Sequence, residues 1–385
     1  MPKYALIAVG YRRPAGLTRL LESLRRADYE GDRVTLIVSI DGGGDPEVSA
    51  AARDFDWPHG EKHLCLRTER LGLRAHLLSC GDWLGEFDAV AVFEDDVIAM
   101  PGFYHFMRQA VPRYAGDPRV AGISLYSPHW NGQAFHDFTP APSAHDAYFM
   151  RQAQSWGQVW TRRAWSEFRS WYGAHAEDGL SDMSLPDFIR RWPDTSWLKY
   201  HTAYCAACEK DFVYPYASLT SCFAEAGTHS PFRHDLHHPP LWEAVPDELR
   251  LPDPSQGVHY DAFFERMGLA QALHLSEAEL CVSLYGTKPL AANRTLLTEG
   301  AVRYLLTTER LPFAVLRGFA LELRPHEQNV LQDHPGSDIL LYDLARPAPP
   351  PPGRAELLRF RYHERVGLQN RRMLGVLLEN LRRGR

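Results

Sequence analysis

Short apolar runs alternate with helical patterns over residues 1–96, and this alternation constrains the fold more than any other feature of the chain. The runs are long enough for buried strands and lie at residues 4–10, 34–40, 62–67 and 89–93. Helical patterns fill the segments between them, including residues 46–54, and another covers residues 103–114. Residues 126–150, which are rich in Pro, His, Asn and Gly, are predicted to be an irregular loop. Strand and helix in alternation predict a mostly parallel sheet that is built from right-handed crossovers.

Three acidic residues, Glu94, Asp95 and Asp96, follow the fourth apolar run directly. In an open α/β sheet, ligands bind beyond the carboxyl ends of the parallel strands. Adjacent carboxylates repel one another unless a cation or hydrogen-bond donors offset their charge. A magnesium-like ion that also binds a diphosphate meets this need, because such ions take a few carboxylate oxygens together with phosphate oxygens. The simpler interpretation is a solvated acidic turn before the helix that follows Pro101.

The two preceding strand ends also carry polar residues. Arg12 follows the first apolar run, and Asp41 follows the second and opens an Asp-Gly-Gly-Gly turn. Because parallel strands end at the same edge of a sheet, we expect Arg12 and Asp41 to lie near the three acids. The sequence therefore predicts one site at this edge, although Asp41 has an alternative role in shaping the turn.

The chain of 385 residues is too long for one typical hydrophobic core, so we expect more than one domain. Residues 1–240 are predicted to form the α/β domain. Residues 241–346, which start with a proline-rich segment, are predicted to form a smaller β-containing accessory domain of unknown role. Residues 347–385 are predicted to be a proline-rich spacer and a basic amphipathic helical tail.

Charge and hydropathy exclude several classes of protein. A net charge of −6 and a pI of about 6.3 give no reason to expect a nucleic-acid partner. No apolar run reaches the length of a membrane span, and the N-terminus lacks the pattern of a signal peptide. Six sparse cysteines suit reduced thiols, and Cys205-x-x-Cys208 lacks a second ligand pair at zinc-site spacing. We therefore expect a cytoplasmic protein.

The tail at residues 354–385 contains nine arginines and three glutamates, with leucines at helical spacing. Such a helix can rest on anionic lipid at the inner face of the membrane. It can equally pack on a partner subunit in a homodimer, or on its own domain. The sequence leaves these alternatives open.

Four segments together resemble the GT-A glycosyltransferases: Arg12 after the first strand, LIVSIDGG at 36–43, LGLRAHLLSCGDW at 71–83 and VFEDDVIAMPGFY at 92–104. The chain is similar to the bacterial family 2-like enzymes of surface-polysaccharide synthesis and to the N-acetylglucosaminyltransferase I group. The resemblance covers about residues 3–235. It implies a GT-A fold, in which a Rossmann-like, mostly parallel sheet is flanked by helices.

The resemblance also implies roles for the residues at the strand ends. Asp96 would bind a Mn²⁺ or Mg²⁺ cofactor, and Glu94 and Asp95 would face the sugar and ribose of the donor. Asp41 would accept a hydrogen bond from the nucleotide base, and Arg12 would lie near the nucleotide.

Further positions match the family downstream. Arg74 and His76 match a region that contacts base or phosphate, and Trp156 matches the segment that forms the floor of the sugar site. His229 matches a histidine near the diphosphate and the metal. Asp187, followed by an aromatic residue, an aliphatic residue and two arginines, matches the catalytic base. Three other aspartates are held as alternative bases: Asp178, Asp182 and Asp211.

The expected function is therefore a metal-dependent, inverting glycosyltransferase of surface-polysaccharide synthesis. It would transfer a sugar from a nucleotide-sugar donor, with a UDP-sugar favoured, to a glycan or lipid-linked acceptor. One alternative is a nucleotidyltransferase of similar fold, although the single glycine after the first strand counts against it. Another is a sugar-binding protein without catalytic activity.

Overall fold

The computed structural model describes residues 2–177, 180, 183, 185–223, 236–288, 302–352, 374, 375 and 378. The chain divides into two compact units. The first contains Met1–Asn131 and Asp137–Phe264, and the second contains Gly132–His136 and Glu265–Arg385.

The first unit is built on a nine-stranded sheet with the strand order β13-β9-β11-β6-β10-β4-β1-β2-β3. Its nine strands are β1 (Tyr4–Gly10), β2 (Thr35–Ile40), β3 (Lys62–Leu66), β4 (Ala89–Glu94), β6 (Val120–Ser124), β9 (Ala147–Met150), β10 (Gln158–Thr161), β11 (Asp211–Pro215) and β13 (His259–Tyr260). Most neighbours pair in parallel, and β10 runs antiparallel between β4 and β6. Four shorter strands lie outside this sheet: β5 (Val97–Ala99), β7 (Trp130–Asn131), β8 (His136–Asp137) and β12 (Thr220–Cys222).

Helices flank the sheet because each one buries an apolar face. In α1 the leucines at positions 17, 20, 21 and 24 are fully buried against the strands. The helices of this unit are α1 (Pro14–Arg25), α2 (Pro46–Asp54), α3 (Leu73–Cys80, followed by a 3₁₀ turn at Gly81–Gly85), α4 (Phe103–Tyr114), α5 (Arg162–His175), α6 (Asp187–Arg190) and α7 (Trp197–Ala207). The predicted α/β fold with a mostly parallel sheet is confirmed.

The first unit extends beyond residue 240, where the sequence predicted a domain boundary. Residues 241–264 pack onto the large sheet instead of forming a linker. Leu249 is buried in the core of the sheet, the Tyr114 hydroxyl donates to Pro252 O at 2.8 Å, and β13 adds an edge strand beside β9. Proline-rich composition predicted a linker here, but tertiary contacts bind this segment to the first unit.

The second unit contains a four-stranded sheet with the order β14-β15-β17-β16 and forms the smaller β region that the sequence predicted. Its elements are β14 (Leu280–Ser283), β15 (Tyr304–Thr307), β16 (Phe313–Phe319), β17 (Ile339–Pro347), α8 (Leu269–Ala272), α9 (Gln328–Leu331) and a 3₁₀ turn at Glu277–Glu279. One face of this sheet packs against α8 and α9 through Leu306, Leu341 and Val330.

The predicted helical tail lies almost entirely outside the described residues. No helix in the described part of the chain combines the length and the apolar character that crossing a bilayer requires.

Candidate functional site

The ends of three parallel strands meet at one edge of the large sheet. Strand β1 lies between β2 and β4, with Gly10 opposite Ile40 and Val9 opposite Glu94. Asp41 donates its backbone N–H to Gly10 O at 3.1 Å. This register brings the residues after β1, β2 and β4 to the same edge, which is where ligands bind in open α/β sheets.

Arg13 is the cation that faces the three acids. Its guanidinium forms an ion pair with Asp95 and lies 3.3 Å from Asp96 Oδ2. Arg13 occupies this position because it is the N-cap residue of α1, which begins at Pro14. Its neighbour Arg12 is exposed and stacks over the Tyr11 ring, 4.8 Å from the centroid. The sequence signal for Arg13 was its place directly before the proline that begins α1.

The acid cluster holds more negative charge than Arg13 offsets. Burial and the neighbouring carboxylates of Asp96 and Asp95 raise the pKa of Glu94 to about 8, although Trp197 contributes a hydrogen bond to its carboxylate. Burial also raises the pKa of Asp95 above its usual value, against the attraction of Arg13. The cluster therefore favours either a bound proton or a bound cation.

Asp96 has an oxygen that is suited to a cation. Its Oδ1 atom is buried and has no hydrogen-bond partner among the described residues, while Oδ2 accepts from Arg13 Nη1 at 3.4 Å. A buried carboxylate oxygen without a partner is uncommon, because its desolvation is uncompensated. In the described ranges, no three His, Cys, Asp or Glu side chains converge as a metal cage. A divalent ion that takes one or two carboxylates plus phosphate and water oxygens fits this donor set. His229 lies outside the described residues.

Asp41 shapes the rim of the site. Its buried carboxylate accepts the backbone N–H groups of Leu71 at 2.8 Å and Gly72 at 3.0 Å, as well as that of Gly42. Gly72 has φ +79°, a conformation that glycine adopts without strain. The structure thus gives Asp41 the role of fixing the loop before α3, and its contact with a nucleotide base stays a prediction.

His76 and Arg74 lie on α3, beside this loop. His76 is buried, its Nε2 lies 2.8 Å from Ser39 Oγ on β2, and burial lowers its pKa. Its described contact fastens α3 to the sheet. Arg74 Nη1 donates to the Tyr200 hydroxyl of α7 at 3.0 Å. Direct contact of either residue with a nucleotide remains a prediction.

Trp156 stands beside the acid cluster. Strand β10 runs antiparallel to β4 with Gln158 opposite Val92, so Trp156, two residues earlier, reaches the edge at which β4 ends. Its half-buried ring packs edge-on against Tyr126, with centroids 4.9 Å apart, and lies 5.0 Å from His237. An aromatic surface of this kind suits a sugar ring, and contact of Trp156 with a sugar stays a prediction.

The base candidates occupy different places. Asp187 begins α6, has a side chain that is 55% exposed and forms an ion pair with Arg190. Its catalytic role stays a prediction. Asp211 is the first residue of β11, which runs in the same direction as β4, so it lies at the opposite edge of the sheet from Asp96. The prediction of Asp211 as an alternative base is therefore wrong. Asp178 and Asp182 lie outside the described residues.

No protein-family model matches the chain, and no curated protein does. Solved structures of glycosyltransferases match its fold at low similarity. A mannosyltransferase from Pyrobaculum calidifontis, in complex with GDP-Man and Mn²⁺, is 15% identical with a TM-score of 0.36 and covers 56% of this chain and 55% of its own. S. aureus TarS 1–349 with UDP-GlcNAc is 12% identical with a TM-score of 0.37 and covers 59% and 60%. The chain thus spans less than two thirds of either matched structure.

Proposed function

We propose that the chain is a metal-dependent, inverting glycosyltransferase that uses a nucleotide-sugar donor. The observation that carries this proposal is the meeting of three strand ends at an acid cluster in which one buried carboxylate oxygen, Asp96 Oδ1, has no hydrogen-bond partner within the described part of the chain. A donor diphosphate and its cation supply the positive charge and the oxygen ligands that this cluster lacks. A UDP-sugar is the favoured donor, and a glycan or a lipid-linked saccharide of surface-polysaccharide synthesis is the favoured acceptor.

Different residues of the chain would bind the cation, the sugar and the nucleotide. Asp96 would hold the cation (Mn²⁺ or Mg²⁺), which supplies electrostatic stabilisation of the leaving diphosphate. Arg13 orients Asp95 and Asp96 through its ion pairs, and Glu94 and Asp95 would face the sugar and ribose hydroxyls of the donor. Trp156 offers an aromatic face to the sugar. Arg12 and Arg74 are charged groups near the nucleotide, and Asp41 and His76 hold the loop and helix that border it.

An inverting transfer also needs a base that takes the proton of the acceptor hydroxyl. Asp187 is the proposed base. Its half-exposed carboxylate is open to an acceptor, and its α6 precedes α7, whose Trp197 is hydrogen-bonded to Glu94.

A thermal-shift panel tests the proposal. UDP-, GDP-, dTDP- and CMP-sugars are added with and without Mn²⁺, and the true donor raises the melting temperature only in the presence of Mn²⁺, because a ligand of the native state stabilises it. Product analysis with the selected donor then separates the reaction classes. A glycosyltransferase releases a nucleoside diphosphate, or CMP from a CMP-sugar, whereas a nucleotidyltransferase consumes or releases pyrophosphate. A panel without any metal-dependent shift contradicts the proposal.

A further inference from the structure

Two exposed segments lie side by side against the start of α7. Arg74, in the first turn of α3, donates to the Tyr200 hydroxyl. The next residue back along α7, Lys199, donates from its Nζ to Trp192 O at 3.0 Å and to Asp194 at 2.8 Å. The segments 67–74 and 187–194 therefore both contact the same turn of α7. The hydrogen bond and charge of Lys199 and the charge of Arg74 all lower the pKa of Asp194, so Arg74 lies close to the second segment.

Both segments expose large apolar side chains. Leu71 is 43% exposed, Leu73 is 38% exposed and Phe188 is 44% exposed, and the half-buried Trp192 packs edge-on against Phe188 with centroids 5.5 Å apart. Large apolar side chains that are exposed together in this way mark an interaction surface more often than scattered ones do.

The same segments carry arginines that lack carboxylate partners. Arg67, Arg70 and Arg191 are exposed and make no ion pair within the described ranges. Arg70 instead stacks over the Tyr11 ring, 5.2 Å from its centroid, where Arg12 also lies. Segment 67–74 contains three arginines and one glutamate, and segment 187–194 contains two arginines and two aspartates, so together they carry a net charge of +2 in a chain whose net charge is −6. Positive charge is therefore concentrated here against the balance of the whole chain.

We propose that these residues form a membrane-docking surface, the docking rim, that rests on the anionic face of a lipid bilayer. The docking rim consists of Leu71, Leu73, Phe188, Trp192 and the arginines at 67, 70 and 191. Aromatic and aliphatic side chains beside arginines are the combination that inserts into the headgroup region of anionic lipid. The rim borders the donor site, because Asp41 holds the Leu71 N–H. It would hold the cleft at the depth of a lipid-linked acceptor, and in this it rests on the proposed function.

Vesicle co-sedimentation of the full chain tests the docking rim. We expect binding to vesicles that contain phosphatidylglycerol, and little binding to phosphatidylcholine alone. The variant Leu71→Ser/Leu73→Ser/Phe188→Ser removes the apolar contacts and should reduce binding by about tenfold or more. Arg67→Gln/Arg191→Gln should reduce it by about fivefold for each arginine, and added salt should weaken the parent in the same way.

Two matched variants of the full chain serve as controls. Val315→Ser/Leu316→Ser alters side chains of similar exposure, 41% and 43%, on β16 of the second unit and should leave binding unchanged. Leu374→Ser/Leu378→Ser alters the tail, where these leucines are 60% and 52% exposed. If the tail variant abolishes vesicle binding and the rim variants do not, the proposal that the docking rim binds the membrane is wrong. The proposal also fails if the β16 control loses as much vesicle binding as the rim variants, or if the parent does not bind vesicles.

Two further measurements complete the design. If soluble polyphosphate displaces the protein from vesicles and the apolar variant binds them normally, the arginines serve a phosphate polymer and the membrane proposal fails. The thermal shift with a nucleotide sugar and Mn²⁺ is recorded on every rim variant. Lost vesicle binding with an intact donor shift supports the rim. If the parent binds vesicles but its melting temperature does not rise with any nucleotide sugar and Mn²⁺, the proposed function is contradicted and the docking rim is not.

Discussion

Two clusters of charged side chains lie at opposite edges of the same sheet and differ in how their carboxylates are paired. At the carboxyl edge, Asp95 and Asp96 share the single guanidinium of Arg13. At the amino edge, Asp211 has two cationic or ionisable partners: Arg151 Nε lies 3.4 Å from its Oδ1, and His259 Nδ1 lies 2.9 Å from its Oδ2.

This difference in pairing indicates which buried carboxylate is available to a ligand. Asp211 is 6% exposed and its charge is met within the protein, so it contributes to the fold. Asp96 Oδ1 is buried without a hydrogen-bond partner among the described residues, beside Glu94, whose pKa is raised to about 8 by burial and by the neighbouring carboxylates. Within the described part of the chain, Asp211 Oδ1 also accepts no hydrogen bond, but it lies 3.4 Å from the cationic Arg151 Nε. An excess of acid at a strand end costs stability, and a ligand that brings positive charge recovers that cost.

The largest expected effect is that of Asp96→Asn on metal-dependent donor binding. Asparagine keeps the shape of the side chain and removes the charge that a divalent ion requires. We expect the affinity for UDP with Mn²⁺ to fall by a factor of about 100 or more, as measured by isothermal titration calorimetry.

The same variant should keep or raise its melting temperature, because it removes one of three repelling carboxylates. Unchanged affinity for UDP and Mn²⁺ in Asp96→Asn would show that the cation, if bound, is held elsewhere. A large loss of stability would place Asp96 with Asp211 among the structural carboxylates and so break the comparison.

Asp211→Asn is expected to give the opposite pattern. The change leaves Arg151 and His259 partly buried without their carboxylate, and removal of one partner of a buried pair costs about 3 kcal/mol of the free energy of unfolding. Urea denaturation measures the loss, and the affinity for UDP with Mn²⁺ should stay at the parent value. Weakened donor binding at a temperature at which the variant is folded contradicts the assignment of Asp211 to the fold alone.

The parts of the structure with strong local patterns could be predicted from the sequence. The bounds of α2 and α4 agree with the predicted Pro46–Asp54 and Phe103–Tyr114, because their apolar residues recur at helical spacing. The predicted irregular loop at 126–150 was wrong in part, since β9 (Ala147–Met150) lies inside the large sheet. Four buried residues between longer loops give too short a pattern, and pairing with β11 decides their conformation.

The site shows the same division between local and tertiary information. The acids could be found because they follow an apolar run directly. Arg13 was missed although it directly precedes Pro14, because which of Arg12 and Arg13 faces the acids also depends on how the chain turns into α1. Trp197 was missed for the same reason, as it reaches Glu94 from a helix more than one hundred residues further along the chain.

His201 tests whether a buried polar group without a hydrogen-bond partner always marks a ligand site. Like Asp96 Oδ1, it has no such partner among the described residues, but we expect no ligand to bind there. Neither ring nitrogen has a partner among the described residues, and the ring stacks on Phe168 with centroids 4.1 Å apart. Burial lowers the pKa of His201 to about 3, so the folded state keeps it neutral. Its contribution to stability is complete above the unfolded pKa of about 6.5 and is lost as the pH falls from there towards 3.

His201→Phe should therefore reduce the loss of stability between pH 6.5 and pH 4, by up to about 3 kcal/mol, while donor binding at pH 7.5 stays unchanged. Urea denaturation over this pH range measures the effect. An unaltered pH dependence would mean that His201 is not the group that protonates on unfolding. If His201→Phe changes donor binding, the unpartnered ring nitrogens of His201 contribute to the donor site, although aromatic rings surround them.

The smallest expected effect concerns Arg13, which both orients the acids and competes with a cation for Asp96. Arg13→Met removes a positive charge close to the proposed cation, so Mn²⁺ alone should bind about fivefold more tightly. Arg13→Lys keeps the charge and should bind Mn²⁺ like the parent. Titration followed by the electron paramagnetic resonance of free Mn²⁺ measures both. Weaker Mn²⁺ binding in Arg13→Met would mean that Arg13 helps the cation more by orienting Asp96 than it hinders it by repulsion. The excess of acidic charge would then not be what distinguishes this edge of the sheet from the edge at Asp211.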